Sequence, residues 1–230
     1  MDLEPFVFRQ AGRLVASRAA VSTDDGLAAI NRYALRDLDP DEYVTFTLDL
    51  CNNQVDRHFS RFPEEELARI AELVPGRPLM ERHDLRGTLP RGRFFRAALH
   101  RDGDLVTVRP EVYVLKTEEN RDFILNIEGG VYRETSIGFS FRMPECSVCG
   151  KDLRTCEHVP GRSYGDETCH FIMREVLEVL EGSVVSSGSQ GTGFVRGVRS
   201  EAPMDAALAE ARDALHGPLE ANGIGLWARE

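Results

Sequence analysis

"ETSIGFSFRMPECSVCG", residues 134–150, joins two unlike patterns. Its first half alternates Ser136, Gly138 and Ser140 with Ile137, Phe139 and Phe141, the period of two that gives a strand one apolar and one polar face. Gly138 leaves room on the polar face for a backbone or a substrate to come close. Its second half places Cys146 and Cys149 at Cys-x2-Cys spacing, directly after the strand. The fold class and the chemistry both turn on how these halves divide the work.

Working outward, "YVTFTLDLC" alternates Val44, Phe46, Leu48 and Leu50 against Thr45, Thr47 and Asp49, a half-buried strand. "RGRFFRAAL" and "DLVTVRPEVYVL" are two further strands joined at Asp102-Gly103, and Pro110 predicts a bend or an edge position for the second. "FPEEELARIAELVPG" predicts a helix over 63–74, opened by a proline and three glutamates and closed by Pro75-Gly76, with an apolar stripe of Leu67, Ile70, Ala71 and Val74. "DDGLAAINRYAL" and "TEENRDFILNIEGG" predict two more helices, the latter capped by Thr117, and "PMDAALAEARDALHG" a last one after Pro203. In "FIMREVLEVLEGSVVSSG" helical and strand periods compete, and "EGSVVS" is taken as a strand.

Length and composition bound the rest. A chain of 230 residues with 42% apolar content can bury one substantial core. A formal charge of −10 and the lack of a long basic stretch disfavour nucleic-acid binding. No stretch reaches the roughly 20 apolar residues that span a bilayer, and "MDLEPFVFRQ" lacks the pattern of a secretion signal. The expectation is a protein of a reducing cytoplasm, where five cysteines, four of them between 146 and 169, fit metal binding better than disulfides.

"CSVCGKDLRTCEH" supplies Cys146, Cys149, Cys156 and His158, two close pairs of soft ligands that suit tetrahedral zinc. Cys169 and His170 are alternatives for the second pair. Four protein ligands leave no open position, so the ion is expected to order the irregular segment 144–169 and not to react.

Serine chemistry needs a hydroxyl, a base and a group that orients the base. Ser136 and, just past a helix and turn, His83 in "LMERHD" are the candidates. His58, His100 and His216 fit turns or a helix end better. No Gly-x-Ser-x-Gly elbow, His-Glu-x-x-His, P-loop or dinucleotide fingerprint is present.

From "FTLDLCNNQVDRHFS" through "GRPLMERHD", "GRFFRA" and "TSIGFSF" to "VLEVLEGSVV", residues 43 to 186 resemble the prohead (capsid maturation) serine proteases of tailed phages, the HK97-like type related in fold to herpesvirus assemblins. That resemblance implies an α+β, mainly β fold: a closed β-barrel with surrounding helices, here with a zinc-binding insertion at 144–169. The implied organisation is an N-terminal arm (1–42), a catalytic domain (43–200) and a C-terminal helical tail (201–230). It implies Ser136 as nucleophile, His83 as base and Glu181 as third member, with Glu175 and Glu178 as neighbouring alternatives. Gly92, Gly130 and Gly138 are candidates to flank an oxyanion site. Two departures stand out: the insertion itself, and "SSGSQGTGFV" where the family is rich in proline, alanine and asparagine. The implied function is cleavage of phage scaffold or of the scaffold-like region of the major capsid protein, with self-cleavage and self-association as further expectations, inside procapsids in the host cytoplasm. The rival readings are an inactive zinc-stapled assembly module and a metallohydrolase.

Overall fold

Alternation of β-branched and aromatic residues with polar ones dictates a fold built on strands, and the computed structural model describes residues 6–15 and 24–190. In chain order the elements are β1 (Phe6–Val15), α1 (Asp24–Asn31), β2 (Tyr43–Leu48), β3 (Cys51–Asn52), β4 (Ser60–Arg61), α2 (Glu64–Leu73), β5 (Pro78–Glu81), β6 (Gly92–Asp102), β7 (Leu105–Leu115), α3 (Arg121–Glu128), β8 (Glu134–Cys146), β9 (Ser163–Tyr164), β10 (Glu167–Thr168) and β11 (Phe171–Val185). The helix expected after Pro203, the tail 201–230 and His216 lie outside the described residues.

Among the described residues the main sheet has nine strands in the order β2-β1-β8-β11-β5-β6-β7-β3, with β4 on β11 and a further pairing of β2 with β7. The closed barrel expected from the resemblance is corrected: the sheet is not closed into a barrel, and two of its seams are short. β1 meets β2 only at Leu14↔Leu48 and Val15↔Thr47, and β5 meets β6 only at Pro78↔Arg93 and Leu79↔Gly92. A uniformly closed barrel needs a full ladder at every seam. The mainly β, α+β class holds.

The apolar face of β8 is the centre of the core. Ile137, Phe139 and Phe141 pack with Phe62, Leu67, Ile70, Val108, Val112, Val176 and Val179, and the Phe62 and Phe139 rings lie 4.9 Å apart. Burying a ring such as Phe139, fully covered here, contributes about 2–3 kcal/mol of transfer free energy. A smaller cluster of Ile30, Leu38, Tyr43, Phe95 and Tyr113 forms beneath α1.

Two local outcomes differ from the sequence expectations. Within the expected N-terminal arm, β1 pairs antiparallel with β8 from Phe6↔Phe141 to Arg13↔Glu134, so this part of the chain is a strand of the sheet. Of the two positions expected for Pro110, a bend or an edge, the edge is excluded: it is buried opposite Ala97. On the other side of β7 the partner changes there, from β2 ending at Glu111 to β3 starting at Val108, so a missing N–H falls in the gap.

α2 clamps the strand that matters most for the site. Its first-turn glutamates were expected to complement the helix dipole; each also has a partner. Glu64 pairs with Arg101, Glu65 with Arg174, and the Glu66 carboxylate accepts the backbone N–H groups of Glu175 (2.7 Å) and Val176 (2.9 Å) on β11.

Candidate functional site

The polar face of β8 turns out to be buried as well: Ser136 is 4% and Ser140 2% exposed. What covers it is set by the register with β11, which places Ser183 opposite Ser136 and Glu181 opposite Gly138. Directly cross-strand residues point to the same face. Glu181 therefore rises over Gly138, where a Cβ would stand 3.1 Å from Glu181 Cδ and well inside contact distance of its Oε1. The space the glycine leaves is filled by this carboxylate.

His83 arrives from the other side. β5 runs parallel to β11 through Leu79↔Gly182, Met80↔Ser183 and Glu81↔Val184, and the chain then folds back with Arg82 and His83 both in the left-handed region, at φ 55° and 59°. Such a conformation costs a non-glycine residue of order 1 kcal/mol or more and persists only where its surroundings impose it. Here the N–H of Arg82 donates to Val184 O (2.9 Å) and that of His83 to Ser183 Oγ (3.0 Å). The result aims the His83 ring at Glu181, with Nδ1 2.6 Å from Oε1. Glu181 is fully buried and His83 12% exposed.

The proton positions follow from the donor inventory. Ser183 Oγ accepts from the His83 N–H, so its own proton goes to Glu181 Oε2, 2.5 Å away. An ionised Glu181 accepts from both Ser183 and Nδ1–H. His83 then carries its lone pair on Nε2, the form a general base needs.

The alternative acids lie elsewhere. Glu178 is exposed and accepts from Ser140 Oγ at 3.3 Å; Glu175 is exposed and faces Arg142. The N–H of His58 donates to Asp56 Oδ1 in a tight turn, and His100, on β6, lies opposite Thr107 of β7. Of the glycines proposed beside an oxyanion, Gly92 is required by packing, since a Cβ there would meet Val114 Cγ2 at 2.9 Å, and Gly138 by Glu181; Gly130 has open space and φ 72°. Sequence reasoning missed Ser183. Its only signal was a hydroxyl two residues after Glu181, on the same face of the strand.

At the other end of β8, Cys146, Cys149, Cys156 and His158 bring one ligand atom each to within 4.8 Å of one another, a group that could hold a metal ion. A turn in which Gly150 N–H donates to Cys146 O, with Gly150 at φ 70°, presents the first two thiols. Burial opposes ionisation of Cys146, but the N–H groups of Cys149 and Val148 and the neighbouring thiols outweigh it, and its pKa is lowered. His158 Nδ1 is buried with no hydrogen-bond partner, while Tyr164 packs edge-on against the ring at 4.5 Å. An orphaned ring nitrogen among three thiols is what a soft, tetrahedral ion would satisfy. Cys169 Sγ lies 4.0 Å from Cys146 Sγ, with its thiol pushed up to about 12 by burial and by Cys146. His170 turns its Nδ1 to Thr168 O at 3.4 Å. The fifth cysteine, Cys51, is a buried core residue whose thiol burial pushes upward.

Ser136 and Cys146 are ten residues apart on one strand, which separates the two groups by roughly 30 Å. The cysteine–histidine cluster and the His83–Glu181 pair are distinct places in the fold.

No protein-family model matches this chain, and no curated protein matches its sequence. Among solved structures, the bacteriophage T4 capsid assembly protease gp21 is similar, at 10% identity and a TM-score of 0.47, over 84% of this chain and 99% of that one. At that identity and TM-score the likeness carries no function from one chain to the other.

Proposed function

We propose that this chain is a serine endopeptidase of phage prohead maturation, which cleaves internal scaffold or the scaffold-like region of the major capsid protein inside assembling procapsids in the host cytoplasm. The observation that carries the reading is the 2.6 Å contact of His83 Nδ1 with the buried Glu181, on the strand face that also bears Ser136. The resemblance of "ERHD" and "TSIGF" to the HK97-like prohead proteases supplies the substrate class.

The chemistry runs as acyl transfer. His83 Nε2 takes the Ser136 hydroxyl proton as Oγ attacks the scissile carbonyl, and the imidazolium is stabilised by Glu181. It then gives the proton to the departing amine, and the C–N bond breaks to leave an acyl-Ser136. Water, deprotonated by the same nitrogen, attacks the ester; the proton returns to Ser136 and the acid product leaves. Glu181 stays ionised throughout and fixes the tautomer.

Cys146, Cys149, Cys156 and His158 would hold zinc in this reading. When bound, the ion supplies folding free energy to an apolar-poor loop. Its roughly 30 Å separation from Ser136 favours that role over the metallohydrolase alternative.

The test is co-expression with the neighbouring scaffold and capsid proteins, together with a fluorophosphonate probe and peptide mass spectrometry. The expected result is processing and an adduct on Ser136, both lost in S136A. Procapsids that assemble with no processing, in wild type and S136A alike, would favour the inactive module instead.

A further inference from the structure

Ser183 is fully buried and makes two hydrogen bonds of opposite sense. Its oxygen accepts the N–H of His83 and its proton goes to Glu181 Oε2. It stands directly across the ladder from Ser136, and so sits between the acid, the backbone of the base and the strand of the nucleophile. A hydroxyl in that place has three readings: a second nucleophile, a packing residue, or a group that sets the geometry and the charge of the pair beside it. The first is excluded by its proton, which faces a carboxylate and not an imidazole nitrogen. The second leaves unexplained why a hydroxyl, and not an alanine methyl, fills a fully covered position between two polar groups.

We propose that Ser183 is a positioning residue of the site, a fourth member acting through Glu181 and His83; the proposal rests on the reading of Ser136, His83 and Glu181 as a proteolytic centre. It has two effects. By occupying Oε2, the hydroxyl leaves Oε1 as the oxygen that meets Nδ1, and spreads the carboxylate charge over two donors. By accepting the His83 N–H, it holds that residue at its left-handed φ of 59°, which sets where Nε2 points. Without the hydroxyl, Oε2 of a buried carboxylate has one donor fewer, the remaining charge draws harder on the imidazole proton, and the protonated form of His83 is favoured.

The experiment uses full-length wild type, S183A, S183T and S183C, with two readouts. One is the pH dependence of fluorophosphonate labelling at Ser136; the other, independent of activity, is the titration of the His83 imidazole followed by 15N NMR. In S183A the maximal labelling rate should fall about 10- to 100-fold, and both the acid limb of the labelling profile and the NMR midpoint should move up by about 0.5 to 1 pH unit. S183T restores the hydroxyl and should move both back toward wild type. S183C, closest in size and a weak donor, should fall between, and it stands in for S183A if the alanine variant does not fold. Labelling that falls only in step with the folded fraction, with both midpoints unmoved, overturns the proposal and leaves a packing role. Absence of any wild-type adduct at Ser136, with the NMR midpoint still rising in S183A, would overturn the protease reading while keeping Ser183 as the residue that positions the pair.

Discussion

Replacing Gly138 by alanine tests the geometry of the site without touching any group that carries a proton. A methyl carbon there would stand 3.1 Å from Glu181 Cδ and 3.3 Å from Cγ, and closer still to Oε1. To regain ordinary van der Waals separation the carboxylate must retreat by about 1 Å. The Nδ1–Oε1 contact, 2.6 Å in the native arrangement, then stretches to the limit at which a hydrogen bond is worth counting. A misplacement of about 1 Å in a catalytic group costs on the order of 100-fold in rate, whereas the overpacking costs about 1–3 kcal/mol of stability, less than the whole stability of a typical domain. G138A should therefore remain folded, with a modest drop in Tm, and label at Ser136 about 100-fold more slowly. The decisive measurement is a double-mutant cycle with E181A. Once the carboxylate is gone there is nothing to displace, so G138A should cost little more in that background. Wild-type labelling by a folded G138A, or the same loss in both backgrounds, would refute the placement of Glu181 over this glycine.

Other outcomes follow from the same geometry. H83A should fold normally and process scaffold at least about 100-fold more slowly, as loss of a general base demands; processing within a few-fold of wild type would remove His83 from the mechanism. Phe139→Ala, at a fully buried ring, should cost about 3–5 kcal/mol in denaturant unfolding, and a loss under 1 kcal/mol would contradict the packing described. At Gly182 a Cβ would meet Phe94 Cζ at 2.6 Å, so G182A should lower stability by about 1–3 kcal/mol, read as a shift in denaturant midpoint. Protein purified without added metal should carry about one zinc per chain, lost in C146A and C149A. Its chelation should expose residues 144–169 to protease before labelling at Ser136 declines, whereas immediate loss of labelling on an intact fold would make the metal part of the chemistry.

Much of the fold was legible because its strands obey a period of two. Phe46, Leu48, Ile137, Phe139 and Phe141 all face the core as their spacing predicts. β1 was not legible, since "FVFRQAGRLV" interrupts its apolar run with Arg9, Gln10 and Gly12, and its pairing with β8 is a non-local event that no local pattern announces. Of the bend or edge position expected at Pro110, the edge is excluded for a related reason: proline disfavours a central strand, but the exchange of β2 for β3 along β7 makes a gap inside the sheet. The helix expected to be capped by Thr117 begins at Arg121, because Thr117 Oγ1 instead accepts the N–H of Asn120 and closes a turn before it.

The carboxylate that meets His83 shows where sequence reading reaches its limit, and why. "VLEVLE", residues 176–181, repeats every three residues, a period that belongs neither to a helix nor to a regular strand. The ladder of β11 with β8 slips once between Val176 and Glu178 and again between Val179 and Glu181. Each slip lets β11 advance two residues where β8 advances one, so with the regular step between the slips β11 moves three residues, Val176 to Val179, against two on β8. Val176 and Val179 therefore both face the core, opposite Phe141 and Phe139, while Glu178 and Glu181 both face the serine side, opposite Ser140 and Gly138. A regular strand would have put Val179 and Glu181 on one face. The choice between the two glutamates cannot be made from that repeat, because the bulges give them the same face. It is made by β5, which pairs with β11 only from Gly182 to Val184 and so delivers His83 to the end of the strand where Glu181 lies, one bulge beyond Glu178.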